Sequence, residues 1–165
     1  MTKSGWIRLA CAALFVFVLT RLMLAYDALP ARIAGHFDGS GRPGNFMPKE
    51  QVVRHLLVLQ LLAPAFLLSM QQLVRMSKGK VNVPHAWYYL APERRDASIA
   101  RLRSFLDEPA LATALLLATL SELSVRAYQS GGSMSLPSIP MALFGVFLLA
   151  WVVRIFRAFP HPPSP

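Results

Sequence analysis

Apolar residues in this chain come in long runs separated by charged or proline- and glycine-rich stretches, with little strand-like alternation. Residues 56–74 (LLVLQLLAPAFLLSMQQLV) carry no charge, and neither do residues 127–153, whose last part from Ile139 (IPMALFGVFLLAWVV) is densely apolar. Each is long enough to cross about 30 Å of hydrocarbon with about 20 residues of helix. Two shorter charge-free intervals, 9–20 and 109–121, are bounded by Arg8 and Arg21 and by Glu108 and Glu122. They reach spanning length once one charge sits at headgroup level, because an arginine can run its stem along the helix and keep its head in the interface. The pattern predicts an all-α membrane protein: one integral-membrane domain over residues 1–165, with four transmembrane helices near 6–26, 56–74, 109–128 and 138–156.

Composition supports this reading. The chain is 55% hydrophobic and 15% charged, against about a quarter charged in ordinary soluble domains. A soluble bundle would have to bury two such apolar runs all round, which a chain this small cannot do. The single cysteine, Cys11, excludes a disulfide scaffold and a cysteine-rich metal site. A net charge of +9 would suit nucleic acid, but the basic residues flank the apolar runs, and no DNA-reading pattern surrounds them; no nucleic-acid partner is expected.

The charges also predict an orientation. Lys3 and Arg8 precede the first run, seven Lys/Arg lie between Arg75 and Glu108, and Arg154 and Arg157 close the last run. Residues 27–55 hold four, offset by Asp27, Asp38 and Glu50. The positive-inside rule puts both termini and the 75–108 loop in the cytoplasm, and the 27–55 loop with the Gly131-Gly132 turn outside. The opening residues resemble the n-region of a signal peptide, but no small-x-small site closes the run, so an uncleaved anchor is expected.

Few polar groups fall inside the spans. Arg21 and Glu122 lie at similar depth and are predicted to form an intramembrane ion pair, with Arg126 as an i,i+4 alternative for the glutamate. A packing role is expected, since the second and fourth spans contain no acid with which to build a relay. Pro64 predicts a kink in the second span, and Gln60 a hydrogen bond to another helix or to the opened turn.

The outer loop is rich in Pro and Gly (Pro30, Gly35, Gly39, Gly41, Pro43, Gly44, Pro48) and is expected to lie largely outside regular structure, with Ile33, Phe37 and Phe46 as an apolar side. His36 and Asp38, with Asp27 and His55 as further ligands, have the chemistry for a divalent metal, but two residues at this spacing serve equally well in a turn or in binding a partner. No metal or cofactor is assigned, and no phosphate-binding GxxxxGK follows the glycines. In the inner loop Trp87, Tyr88, Tyr89 and Leu90 form an interface-seeking cluster. From Pro92 the spacing predicts a cytoplasmic interfacial amphipathic helix, with Ile99, Leu102, Phe105 and Leu106 opposite Arg94, Arg95, Arg101 and Arg103. Anionic membrane lipid is its expected partner, a cytosolic protein the alternative. Residues 160–165 read as an extended proline-rich tail.

Two loop motifs carry a family resemblance. LPxxIxxHFxxxGxP (Leu29, Pro30, Ile33, His36, Phe37, Gly41, Pro43, then Lys49) and NxPxxxYxLAPERR (Asn82, Pro84, Tyr88, Leu90, Ala91, Pro92, Glu93, Arg94, Arg95) resemble small bacterial integral-membrane proteins of unknown function that share a domain with SdpI-like immunity and signalling proteins. The chain departs from that pattern at Ala34, Asn45 and Tyr89. The resemblance implies a multispan helical protein of the bacterial inner membrane and, for the SdpI-like relatives, protection against a membrane-active toxin coupled to repressor capture. The expected function is a non-enzymatic membrane module, sensor-like or immunity-like. Its outer recognition residues would be His36, Phe37, Asp38, Gly41, Pro43 and Lys49, and its inner motif Asn82, Pro84, Tyr88, Pro92, Glu93, Arg94 and Arg95. The alternatives are an accessory or assembly subunit of a membrane complex, and a metal-dependent membrane enzyme or small transporter.

Overall fold

The computed structural model describes residues 3–77, 81–130, 133–134 and 137–162. The Gly131-Gly132 turn, Lys78 and Lys80 of the inner loop, and residues 163–165 of the proline-rich tail lie outside the described residues. The chain is mostly helical. Helix α1 (Lys3–Ala25) ends in a 3-10 turn, Tyr26–Ala28, and strands β1 (Arg32–Phe37) and β2 (Pro43–Pro48) follow. Helix α2 (Lys49–Met76) leads to the short α3 (Ala86–Tyr89) and α4 (Arg95–Arg103), and then to the long helices α5 (Glu108–Ser130) and α6 (Ser138–Ala158). Helices α1, α2, α5 and α6 are long and apolar enough to cross a membrane.

Helix α5 is the centre of the bundle and packs against α1, α2 and α6. Its buried positions Ala110, Ala114, Ala118, Ser121 and Ser124 are all small. Spaced by three and four, they form a stripe that lets neighbouring helices approach closely. Gln60 of α2 is buried against this stripe and donates its Nε2 to Ala114 O at 3.2 Å. The bundle core is thickest beneath the strands, where Val18, Leu22, Val52, Val53, Ala118 and Val125 meet Leu29, Ile33 and Ala34.

Helix α6 has no buried residue along its length and is tied down toward its C-terminal end. Trp151 Nε1 donates to Phe105 O at 2.9 Å. Glu108 accepts from Arg154 Nη1 and from Lys3 Nζ, both at 2.7 Å. Arg101 Nη1 donates to Ala158 O at 2.8 Å, a cation on the carbonyls that close a helix. These contacts gather the start of α1, the segment around α4 and the end of α6 at one end of the molecule. The strands and Met134 occupy the other.

Two local expectations are corrected. The outer loop is not largely irregular: β1 and β2 form an antiparallel hairpin, with Arg32 opposite Pro48, His36 opposite Gly44 and Phe37 opposite Pro43. Its prolines stand at strand ends, where a missing N–H costs the ladder little. The chain is therefore helical with one small sheet, not all-α. On the other side, the helix expected from Pro92 starts at Arg95 and ends at Arg103. Phe105 and Leu106 fall beyond it in tight turns, and its one buried residue is Ser98. The apolar face is thus cut short: Ile99 and Leu102 stay half-buried while Phe105 turns away under Arg154, 5.5 Å from its ring.

Candidate functional site

The reversal between the strands is built on Asp38. Its Oδ1 accepts hydrogen bonds from Ser40 Oγ at 2.7 Å and from the amides of Ser40 and Arg42, both at 2.9 Å. The Ser40 hydroxyl first, and then the Arg42 amide, hold its carboxyl below the usual range against the opposing effect of desolvation. Gly41 turns the chain with φ +83°. Its carbonyl accepts from Met134 N at 2.8 Å, and a Cβ placed on Gly41 would lie 2.0 Å from Met134 O. Only glycine meets both demands. At Gly44 a Cβ would come within 2.9 Å of the His36 ring, so this glycine makes room for the imidazole across the hairpin.

The hairpin is fastened to the helices below. The buried Tyr128 of α5 donates its hydroxyl to Ala34 O at 2.8 Å, and its ring lies 5.7 Å from that of Phe37. Lys49 Nζ donates to Tyr26 O at 2.9 Å and Leu29 O at 3.3 Å, and stands 4.5 Å from the centre of the Tyr26 ring. Lys49 N also donates to Ala31 O at 3.0 Å. One lysine at the start of α2 thus holds the chain where it leaves α1, by bonds from a cation to carbonyl oxygens.

Between this platform and the helices lies a cleft of about 370 Å³. Val52, Leu56, Leu120 and Tyr128 line it below, and His36, Phe37 and Asp38 line it from the hairpin. Apolar walls with a few polar groups at the mouth suit an amphipathic or apolar ligand. Pro43 lines a smaller hollow of about 100 Å³ with Arg32, Ile33 and Phe46. His36 and Asp38 both border the main cleft, but among the described residues no group of three or more His, Cys, Asp or Glu is placed to hold a metal ion.

Below the hairpin, Arg21 Nε donates to Glu122 Oε2 at 2.8 Å and Arg21 Nη2 to Oε1 at 3.2 Å. Arg126 Nε reaches the same Oε1 at 2.8 Å. One carboxylate therefore joins α1 to α5 through a two-pronged bond and also braces the next turn of its own helix toward the hairpin.

The inner motif builds an aromatic chain. His85 opens α3 with a left-handed backbone, φ 52°. Trp87 lies edge-on to Tyr88, Tyr88 to Tyr89, and Tyr89 to Phe159, with ring centres 5.1–5.8 Å apart. Arg94 sits 4.1 Å from the Tyr88 ring centre, a cation–π contact. Tyr89 also donates its hydroxyl to Pro160 O at 2.8 Å. Arg95 Nε lies 3.5 Å from Leu90 O. Asn82, Pro92 and Glu93 are exposed, and Pro84 is half-buried beside the buried Val83.

Tyr128, Met134, Glu108 and Trp151 organise the two ends of the molecule but do not stand out in the sequence. Tyr128 had a readable signal as a lone phenol near the end of an apolar helix, which needs an acceptor when buried. The bond between Met134 and Gly41 is made by backbone atoms and has no side-chain signature.

No curated protein and no solved structure matches the chain. Residues 13–61, which run from the body of α1 through the hairpin into α2, match the model of a domain of unknown function, DUF1648.

Proposed function

We propose that this chain is a non-enzymatic module of the bacterial inner membrane, with both termini and the 75–108 segment in the cytoplasm and the hairpin outside. In this reading the hairpin is a recognition platform, as the resemblance to SdpI-like immunity and signalling proteins suggests, and its ligand is an external amphipathic peptide or lipid. One observation carries the reading: the hairpin is fixed to the helices through Tyr128 and Lys49 and to Met134 between α5 and α6, yet leaves an apolar-walled cleft open beneath His36. A prepaid, rigid surface of this kind binds without first paying to order a loop. The interfacial α4 region, beside the exposed Trp87, would rest on anionic lipid.

The test is a photo-crosslinking amino acid at position 36 in the source cell, with adducts read by mass spectrometry. The expected result is a dominant adduct that disappears when Leu120→Trp fills the cleft. If position 36 gives the same adducts as Leu62, an exposed position on α2, the platform contacts only bulk lipid and the reading fails.

A further inference from the structure

At the end of the molecule remote from the hairpin, the last turn of α2 and one side of α4 enclose a second cleft, of about 430 Å³. Arg75, Arg95 and Arg103 line it, with Asp96, Ile99 and Ala100. We propose that this cleft binds an anionic phosphate group through these three arginines. The proposal rests on the reading of α4 as the part that meets anionic groups and is independent of what the hairpin recognises.

Charge supplies the first argument. Among the described residues the ion pairs are Lys3 and Arg154 with Glu108, and Arg21 and Arg126 with Glu122. Arg75, Arg95 and Arg103 take part in none of them. Three guanidinium groups share one cleft with a single carboxylate, Asp96, so the lining keeps a positive excess that a bound anion would neutralise. Like charges held close together carry a cost that a bound anion would lower.

Arg103 supplies the second. Its Nε is closed off from solvent and has no acceptor in the protein, although its own carbonyl is fixed by Gln71 Nε2 at 3.4 Å. Buried donors are rarely left unmatched, and this one nitrogen is without an acceptor while the rest of the side chain stays half-buried at the cleft. The third argument is chemical type. Arginine presents planar, forked donors that match two phosphate oxygens at once, where lysine offers a point charge. A phosphodiester of a lipid headgroup and a soluble phosphate share this chemistry.

The test uses the full chain in nanodiscs of neutral phosphatidylcholine, with two probes: phosphatidylglycerol, counted as retained adducts by native mass spectrometry, and inorganic phosphate, titrated by calorimetry. Retention of phosphatidylglycerol without phosphate binding identifies a lipid headgroup as the source; calorimetric binding of inorganic phosphate identifies a soluble anion. Arg75→Gln and Arg103→Gln are each expected to weaken the bound probe about tenfold, as loss of one charge-assisted hydrogen bond implies. Arg42→Gln, which removes the same charge at the hairpin, is the control and is expected to change nothing. Should Arg103→Gln fail to fold, the exposed Arg75 decides the matter alone. Failure of both probes to bind, or equal binding by Arg75→Gln and Arg42→Gln, would overturn the proposal.

Discussion

Gly39 and Gly41 sit two residues apart in one turn, and their surroundings separate them. A Cβ on Gly39 meets nothing within 4 Å, while on Gly41 it would collide with the Met134 carbonyl at a backbone angle that side chains avoid. Gly39→Ala is therefore expected to stay within about 0.5 kcal/mol of the parent. Gly41→Ala is expected to cost at least about 1 kcal/mol, from the left-handed backbone alone. Thermal unfolding in detergent micelles checks both. Asp38 adds a pH dependence. Its carboxyl is held low by the Ser40 hydroxyl and the Arg42 amide, so the unfolded chain takes up a proton more readily than the folded one. The turn's stabilisation is complete above the unfolded value and is lost as pH falls through the lower folded value. The protection of the residue 38–42 amides, taken relative to the intrinsic exchange rate at each pH, is expected to fall on acidification below about pH 4, and Asp38→Asn to flatten that response. An unchanged acid response in Asp38→Asn would place the titrating group elsewhere.

Between elements, the Glu122 carboxylate distinguishes a structural ion pair from an ornamental one. It is 19% exposed, against 33% for Arg21 and 71% for Arg126. The pair with Arg126 resembles an exposed helix pair, worth under about 1 kcal/mol. The pair with Arg21 crosses from α1 to α5 with two hydrogen bonds on a half-buried guanidinium, and bonds to charged groups reach about 1.5–3 kcal/mol. Arg21→Gln is thus expected to destabilise the bundle more than Arg126→Gln, and Glu122→Gln at least as much as Arg21→Gln, since it leaves two guanidinium groups without their acceptor. Chemical unfolding of the three variants in one micelle system gives the order. Equal losses from Arg21→Gln and Arg126→Gln would remove the interhelix bond as a source of stability.

For the molecule as a whole, the four long helices sort the loops into two ends, and this arrangement makes the membrane orientation testable. With Cys11→Ser as background, a cysteine at the open Gly39 position and another at the exposed Ala97 of α4 report the two ends. An impermeant maleimide on intact cells is expected to label Gly39→Cys, and Ala97→Cys only after permeabilisation. The reverse pattern would invert the proposed orientation. Labelling of both in intact cells would be incompatible with hairpin and α4 on opposite sides of a membrane.

Apolar run length and charge position were enough, by themselves, to determine the four long helices, because a helix satisfies its own backbone and needs only a run of sufficient length. The same local signals placed Pro64 and Gln60 on the second helix and marked Arg21 and Glu122 as polar groups that required a partner. The hairpin was hidden for the opposite reason. Its strands hold four of the seven loop glycines and prolines that argue against regular structure, Gly35, Pro43, Gly44 and Pro48. It is held by contacts with residues far along the chain: Ala34 with Tyr128, Gly41 with Met134, Lys49 with Tyr26 and Leu29. The shortening of α4 is likewise a tertiary effect, since Phe105 leaves the helical face to meet Trp151 and Arg154 of α6. The cleft under His36 and the three-arginine cleft belong to the same class. Each takes its walls from segments separated by tens of residues, and local pattern carries no information about which distant segments pack together.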